Sequence, residues 1–306
     1  MSVRPRLSIG LPVYNGERFL GQSLKALLSQ TFDDFELVIS DNASTDRTAE
    51  ICRDYAASDD RIRYVKQRVN VGAAANHNAV FALSRGELFK WASHDDLYDP
   101  RLLALCVDLL DRRPDVVLTH AWQGYIDSNG TVVATVRYPL DTDLPDPVKR
   151  FRSHLFGVGG DDFYGVIRSD VLRAVRPHGS YHHADRTFVA QLVLQGPFAQ
   201  VPEVLYYRRD HPGRAERSAP SKRARAANLE PRRGNQRRNP TARLLAEYVG
   251  GYGAVVARAP LTLAQQVACY GYLSAWLASR AVPGRSRRME DSFVRVGARQ
   301  SNIEVK

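Results

Sequence analysis

Three cysteines in 306 residues, at 52, 106 and 269, form no CxxC pair. They are too few and too scattered for a zinc site or a disulfide framework, so free thiols in a reducing compartment are expected. No apolar leader precedes the first strand, since Met1 to Arg6 leads straight into Leu7. A cytoplasmic protein is the expectation. No GxGxxG follows that strand, which disfavours a dinucleotide-binding Rossmann domain. Neither a Ser–His–Asp nor a Cys–His arrangement is evident. One long apolar stretch exists, Leu261 to Ala281, but Gln265, Gln266 and Ser274 interrupt it and Gly271 weakens it. A spanning helix needs about 20 apolar residues, so a packed or interfacial helix is expected there. Acidic residues are scarce in one region only. Residues 1–207 carry 23 Lys/Arg and 26 Asp/Glu, whereas residues 208–243 carry 12 and 3. The formal charge of +10 therefore belongs to a C-terminal stretch and not to the body.

What is present reads as alternating strands and helices. Leu7 to Leu11, Glu36 to Ser40, Ile62 to Val65, Leu88 to Trp91 and Val116 to His120 are short apolar runs. Between them lie helical patterns, for instance Leu20, Leu24, Leu27 and Leu28 on one face. This alternation predicts an α/β fold with a doubly wound, mainly parallel sheet. Ligands bind such sheets just outside the carboxyl ends of the strands. Three polar turns fall there: Val13 to Glu17, Asp41 to Asp46, and Ser93 to Asp96 before Pro100. Asp95 and Asp96 can hold a divalent cation through hard oxygen ligands, or can simply form a turn before the helix at Pro100. Later elements are less regular. A hairpin is expected around Ser128 to Gly130, a strand at Phe163 to Ile167, a helix from Asp185 to Gln195, and short closing strands at Phe198–Val201 and Leu205–Arg208. Arg214 to Asn239 reads as a mobile charged segment, with helices at Ala242–Val256 and Leu261–Ala281 beyond it.

Four segments in register carry a family resemblance: Leu11 to Asn15, Ser40 to Asp46, Asn70-Val71-Gly72 continuing to Asn78, and Ser93 to Asp96 with Pro100. The chain to about residue 211 resembles the family 2 glycosyltransferases, inverting enzymes with a GT-A fold. The resemblance implies a glycosyltransferase domain at 1–212, with a nucleotide-binding half (1–100) and an acceptor half (101–212). A basic linker and helical extension would follow at 213–306. It also implies hexosyl transfer from a nucleoside-diphosphate sugar, UDP or dTDP favoured, to a hydroxyl acceptor. Cell-surface polysaccharide, glycolipid or glycosylated natural products would be the products. Pro12, Tyr14 and Glu17 would line the nucleotide pocket, Asp41 would accept from the base, and Asn78 would approach the ribose and diphosphate. Asp95 and Asp96 would hold Mg²⁺ or Mn²⁺ against the diphosphate. The family motif is commonly Asp-x-Asp, and here Ser93 and His94 fill its first two positions. Asp185 would be the catalytic base, with Asp162 as the alternative. Asp185 also has a plain structural reading, as a helix N-cap.

Two other classes fit parts of the sequence. A nucleotidyltransferase would need a Gly-rich basic loop after the first strand, and Val13 to Glu17 is not one. The Ser93 departure suits a non-catalytic nucleotide-sugar-binding module. Nucleic acid is not an expected partner, because the 208–243 run lacks interleaved aromatics for base stacking. That run and the apolar 261–281 helix instead suggest a peripheral contact with an anionic membrane carrying a lipid-linked acceptor, or a solvated linker.

Overall fold

Leu7–Val13 (β1) and Phe35–Asp41 (β2) are buried at every position, which is the pattern of inner strands covered on both faces. In the computed structural model, which describes residues 4–137, 141–157, 161–181, 183–214 and 221–281, they lie in one sheet. Ile62–Lys66 (β3) and Leu88–Trp91 (β4) flank them, all four parallel. Beyond β4 the sheet becomes mixed. Val166–Arg168 (β8) runs antiparallel between β4 and Leu118–Ile126 (β6). Val132–Val136 (β7) closes a hairpin on β6, and Phe198–Arg209 (β9) runs parallel to β6. The two-residue β5, Leu97–Tyr98, pairs antiparallel with the end of β9. The strand order is β3-β2-β1-β4-β8-β6-β9-β5, with β7 off that path.

Helices cover both faces. Leu20–Leu28 (α1), Thr48–Ser58 (α2) and Leu102–Arg112 (α4) bury Leu20, Leu24, Leu27, Cys52, Leu103 and Leu110 in one core. Ala73–Leu83 (α3), Pro147–Phe156 (α5), Ser169–Ala174 (α6) and Ala184–Gln195 (α7) contribute to the second, through Val80, Phe151, Leu172 and Phe188. The doubly wound arrangement expected from the alternation is what forms, and with it the GT-A-like fold that the resemblance implies.

Three expectations need correction. The predicted closing strands are one 12-residue strand, β9, whose register against β6 shifts near Trp122. Pro202 explains why it reads as two, since proline donates no ladder hydrogen bond. Phe163 and Tyr164 belong to a 3-10 turn, Asp161–Tyr164, leaving β8 shorter than expected. The charged segment after Arg214 is not uniformly unstructured. Lys222–Leu229 (α8) is a helix capped by Ser221, and Pro231–Gly234 is a 3-10 turn. Thr241–Arg258 (α9) and Leu263–Ala281 (α10) follow. Tyr252, Val256, Cys269, Leu273 and Trp276 from these two helices share the second core with Phe151 and Phe188.

Candidate active site

The site forms where β4, β1 and β9 end. After β4 the chain is fixed by Tyr98, whose hydroxyl accepts from Ser93 N (2.8 Å) and donates to Ser93 O (3.1 Å). Ser23 Oγ donates to the same carbonyl. The β1 turn packs directly on this loop. A Cβ at Gly16 would lie 2.7 Å from His94 Cδ2, so only glycine permits the approach. His94 is largely enclosed there, and burial lowers its pKa against the pull of the Asp95 charge. Its ring stands against the β1 turn.

Asp95 and Asp96 do different jobs. Asp95 Oδ2 lies 2.9 Å from His211 Nε2, and Ser93 Oγ donates to Oδ1. Burial opposes the Asp95 charge, but the His211 hydrogen bond and the positive influence of His94 and Arg214 prevail and hold its carboxyl below the usual range. Asp96 is fully buried. Tyr206 hydroxyl donates to its Oδ2 and Arg209 N to its Oδ1 at 2.8 Å. Burial and the neighbouring Asp95 charge raise its pKa. Asp96, expected beside Asp95 as a metal ligand, is 0% exposed, and both of its oxygens accept hydrogen bonds from β9.

β9 supplies what the sequence reading missed. Arg209 is fully buried, with Nε donating to Asp95 O and Nη2 to Gln22 Oε1, both at 2.8 Å, and its guanidinium over the Phe19 ring. Two residues on, His211 packs its ring against Phe19 and meets Asp95. Arg214 reaches within 3.7 Å of Asp96 Oδ1. The available signal was the run Arg208-Arg209-Asp210-His211 at a strand's carboxyl end, but counting charge assigned it to a basic tail.

The nucleotide-side residues are distributed unevenly. Tyr14 is 43% exposed at the rim, and Pro12 is buried within β1, opposite Ser40. Glu17 accepts from Arg47 N, while Asp46 accepts from Glu17 N and Thr48 N. Asp46 thereby ties the β1 turn to the start of α2. Asp41 differs from its expected role. It is fully buried, accepting from Tyr64 hydroxyl (2.9 Å) and Ser44 N (2.8 Å), so in this arrangement it presents no surface to a base. Asn78 differs too. Its amide clasps the His178 backbone through two 2.9 Å hydrogen bonds, tying α3 to the loop before α7 rather than facing a diphosphate.

Asp185 is the second residue of α7, not its N-cap. That position belongs to His183, at φ 60° and without a side-chain cap bond. The Asp185 charge is felt by Tyr181, Arg186 and Tyr252. The Asp162 side chain lies outside the described residues.

Comparison with known proteins agrees with this geometry. Residues 8–162 match the model of "Glycosyl transferase family 2". A putative glycosyltransferase EpsE from Bacillus subtilis is 35% identical over 113 residues, covering 37% of this chain and 41% of that protein. The chain spans less than half the length of the first curated relatives it matches. S. aureus TarS 1-349, solved with UDP-GlcNAc, superposes with TM-score 0.55 at 15% identity, over 90% of this chain and 91% of that one. The mannosyltransferase PcManGT from Pyrobaculum calidifontis, solved with GDP-Man and Mn²⁺, gives 0.52 at 18%, over 94% and 84%. At these identities the two structures establish a shared GT-A-type fold. The match over more than half of the chain, with its sheet and strand-end site, makes this protein a member of glycosyltransferase family 2.

Proposed function

We propose that the chain moves a sugar from a nucleoside-diphosphate sugar to a hydroxyl acceptor with inversion, assisted by a divalent cation. The observation that carries this reading is the Asp95–His211 pair at the carboxyl ends of β4 and β9. It sets a carboxylate and an imidazole side by side, 2.9 Å apart. A carboxylate beside an imidazole suits Mn²⁺ better than Mg²⁺, which favours all-oxygen sites. No group of three or more His, Cys, Asp or Glu side chains converges as a metal site among the described residues. Asp95 and His211 would therefore hold the ion, with water and diphosphate oxygens in the other positions. When bound, the ion supplies charge stabilisation to the departing diphosphate.

The chain's own residues support the rest. Asp95 stays ionised because its pKa is lowered, and Arg209 with Arg214 adds positive charge around it. Asp185 takes the acceptor proton as the acceptor oxygen bonds to the anomeric carbon and the bond from that carbon to the diphosphate oxygen breaks. UDP- and dTDP-sugars remain the first donors to test, with Tyr64 hydroxyl donating to Asp41 Oδ2 in this structure. Relatives solved with UDP-GlcNAc and with GDP-Man extend the donor range to be tested.

The decisive experiment is turnover against UDP-, dTDP- and GDP-sugars with Mn²⁺ or Mg²⁺, for the native chain and Asp95→Asn. At least one donor should be consumed in a metal-dependent way, and the variant should lose about 10²-fold or more of that rate. Full activity in Asp95→Asn would remove Asp95 from the site. No turnover of any donor, with tight nucleotide-sugar binding retained, would favour the non-catalytic module.

A further inference from the structure

Helix α10 is apolar on two sides. Its inner side, Cys269, Leu273 and Trp276, is buried in the second core. Its outer side carries Leu263 (77% exposed), Val267 (63%) and Tyr270 (39%), spaced i, i+4 and i+7. No charged side chain occurs from Leu261 to Ser279. An apolar helix side is normally turned to a core or a partner, and among the described residues this outer side is open. No described helix is long and apolar enough to cross a membrane, so an occupant would lie against the helix lengthwise.

Charge identifies the occupant. Residues 231–281 contain seven arginines and a single acid, Glu247, which is held by Arg233 and Arg243. Arg258 just before α10 and Arg280 at its end are both exposed, and the Arg280 guanidinium stacks over Trp276. Arg232, Arg237, Arg238 and Arg243 are exposed as well. Two copies meeting through this face would bring like charges together. An anionic bilayer complements it, with apolar side chains entering the acyl boundary and arginine heads among the phosphates. We infer that the outer side of α10, with the arginines of the 231–281 region, docks this protein on an anionic lipid surface. Helix α10 packs on α5 and α9, and both pack on α7, whose first turn carries Asp185. Docking therefore places lipid two elements from the proposed base.

The test is flotation of the full-length protein with phosphatidylcholine vesicles, with and without 30% phosphatidylglycerol. It needs no donor, so it stands or falls apart from sugar transfer. Binding is expected to the anionic vesicles only, and to weaken in 0.5 M NaCl. Leu263→Glu with Val267→Glu should reduce binding at least tenfold. Arg237→Gln and Arg238→Gln should each reduce it about fivefold. All four residues are exposed, so the variants should melt with the native protein. No flotation, or flotation unchanged in the Leu263/Val267 variant, overturns the inference. So does competition by inorganic phosphate beyond that of chloride at equal ionic strength, which would indicate a phosphate site instead. A concentration-dependent dimer abolished by Val267→Glu would assign the face to a second copy. Hydrogen-exchange protection of 263–278 that disappears when 282–306 are removed would assign it to the chain's own tail.

Discussion

Asp95 and Asp96 are neighbours with the same side chain, and nothing in the sequence separates their roles. The structure does so through their partners: Ser93 and His211 for one, Tyr206 and the Arg209 amide for the other. His211 lies 116 residues from Asp95, and no local pattern connects them. Asp41 and Asn78 were legible as polar groups at strand and helix ends but not in their orientation, because the backbone and Tyr64 compete for the same atoms. Asp185 yields a sharp prediction at this scale. As second residue of α7 its carboxylate is favoured by the helix dipole, worth about 0.3–1 kcal/mol, a term that asparagine gives up only in part. Asp185→Asn should therefore leave the melting temperature and donor binding nearly unchanged while transfer falls by about 10²-fold or more. Transfer close to the native rate would make Asp185 structural and turn attention to Asp162.

At the level of elements, the inner strands were readable because continuous apolar runs between turns can be little else. β5 was not, being two residues long and recognisable only by its pairing with β9. Nor was the path of α8, because an Arg- and Ala-rich segment has no apolar face to announce its contact. Its landing point is specific all the same. Gly72 sits at φ 89°, and a Cβ there would lie 2.4 Å from Leu229 O at the end of α8. Gly72→Ala should cost about 1–3 kcal/mol from backbone strain alone, and more from the clash. An unchanged melting temperature would show that α8 moves away freely. Helix α5 carries a pH-dependent contact. His154 is buried with Nε2 2.8 Å from Arg186 O. Burial, then the nearby Arg186 charge, pushes its pKa down to about 3. Between pH 6.5 and about 3 the unfolded chain binds the extra proton, so this contribution is complete above 6.5 and is lost as pH falls. The slope approaches about 1.4 kcal/mol per pH unit. Thermal melts from pH 7 to 4.5 should show a shallower decline for His154→Gln than for the native protein, and parallel declines would dismiss the contact.

The whole molecule is held by two cores on opposite faces of one sheet, and the second core ignores the boundary the sequence suggested at residue 212. Charge composition changes there, but packing does not. Tyr252, Val256, Leu273 and Trp276 lie in the same cluster as Phe151, Phe188 and Leu192, and the Trp276 ring sits 5.4 Å from Tyr252. An independently folded extension would melt by itself when its own core is damaged. A shared core has no such freedom, because a cavity beside α9 also loosens α7 and α5, and with them the sheet. Trp276 is 3% exposed, and removing a buried tryptophan side chain costs about 3–5 kcal/mol. Trp276→Ala should therefore lower one cooperative transition for the whole protein, with fluorescence and far-UV dichroism moving together. Trp276→Phe is the milder companion, since it keeps most of the ring and deletes an indole N–H that has no partner among the described residues. If Trp276→Ala instead produces an early transition confined to helix loss, while a nucleotide sugar still protects the remainder, α9 and α10 form a separable unit and the core is not shared in energetic terms.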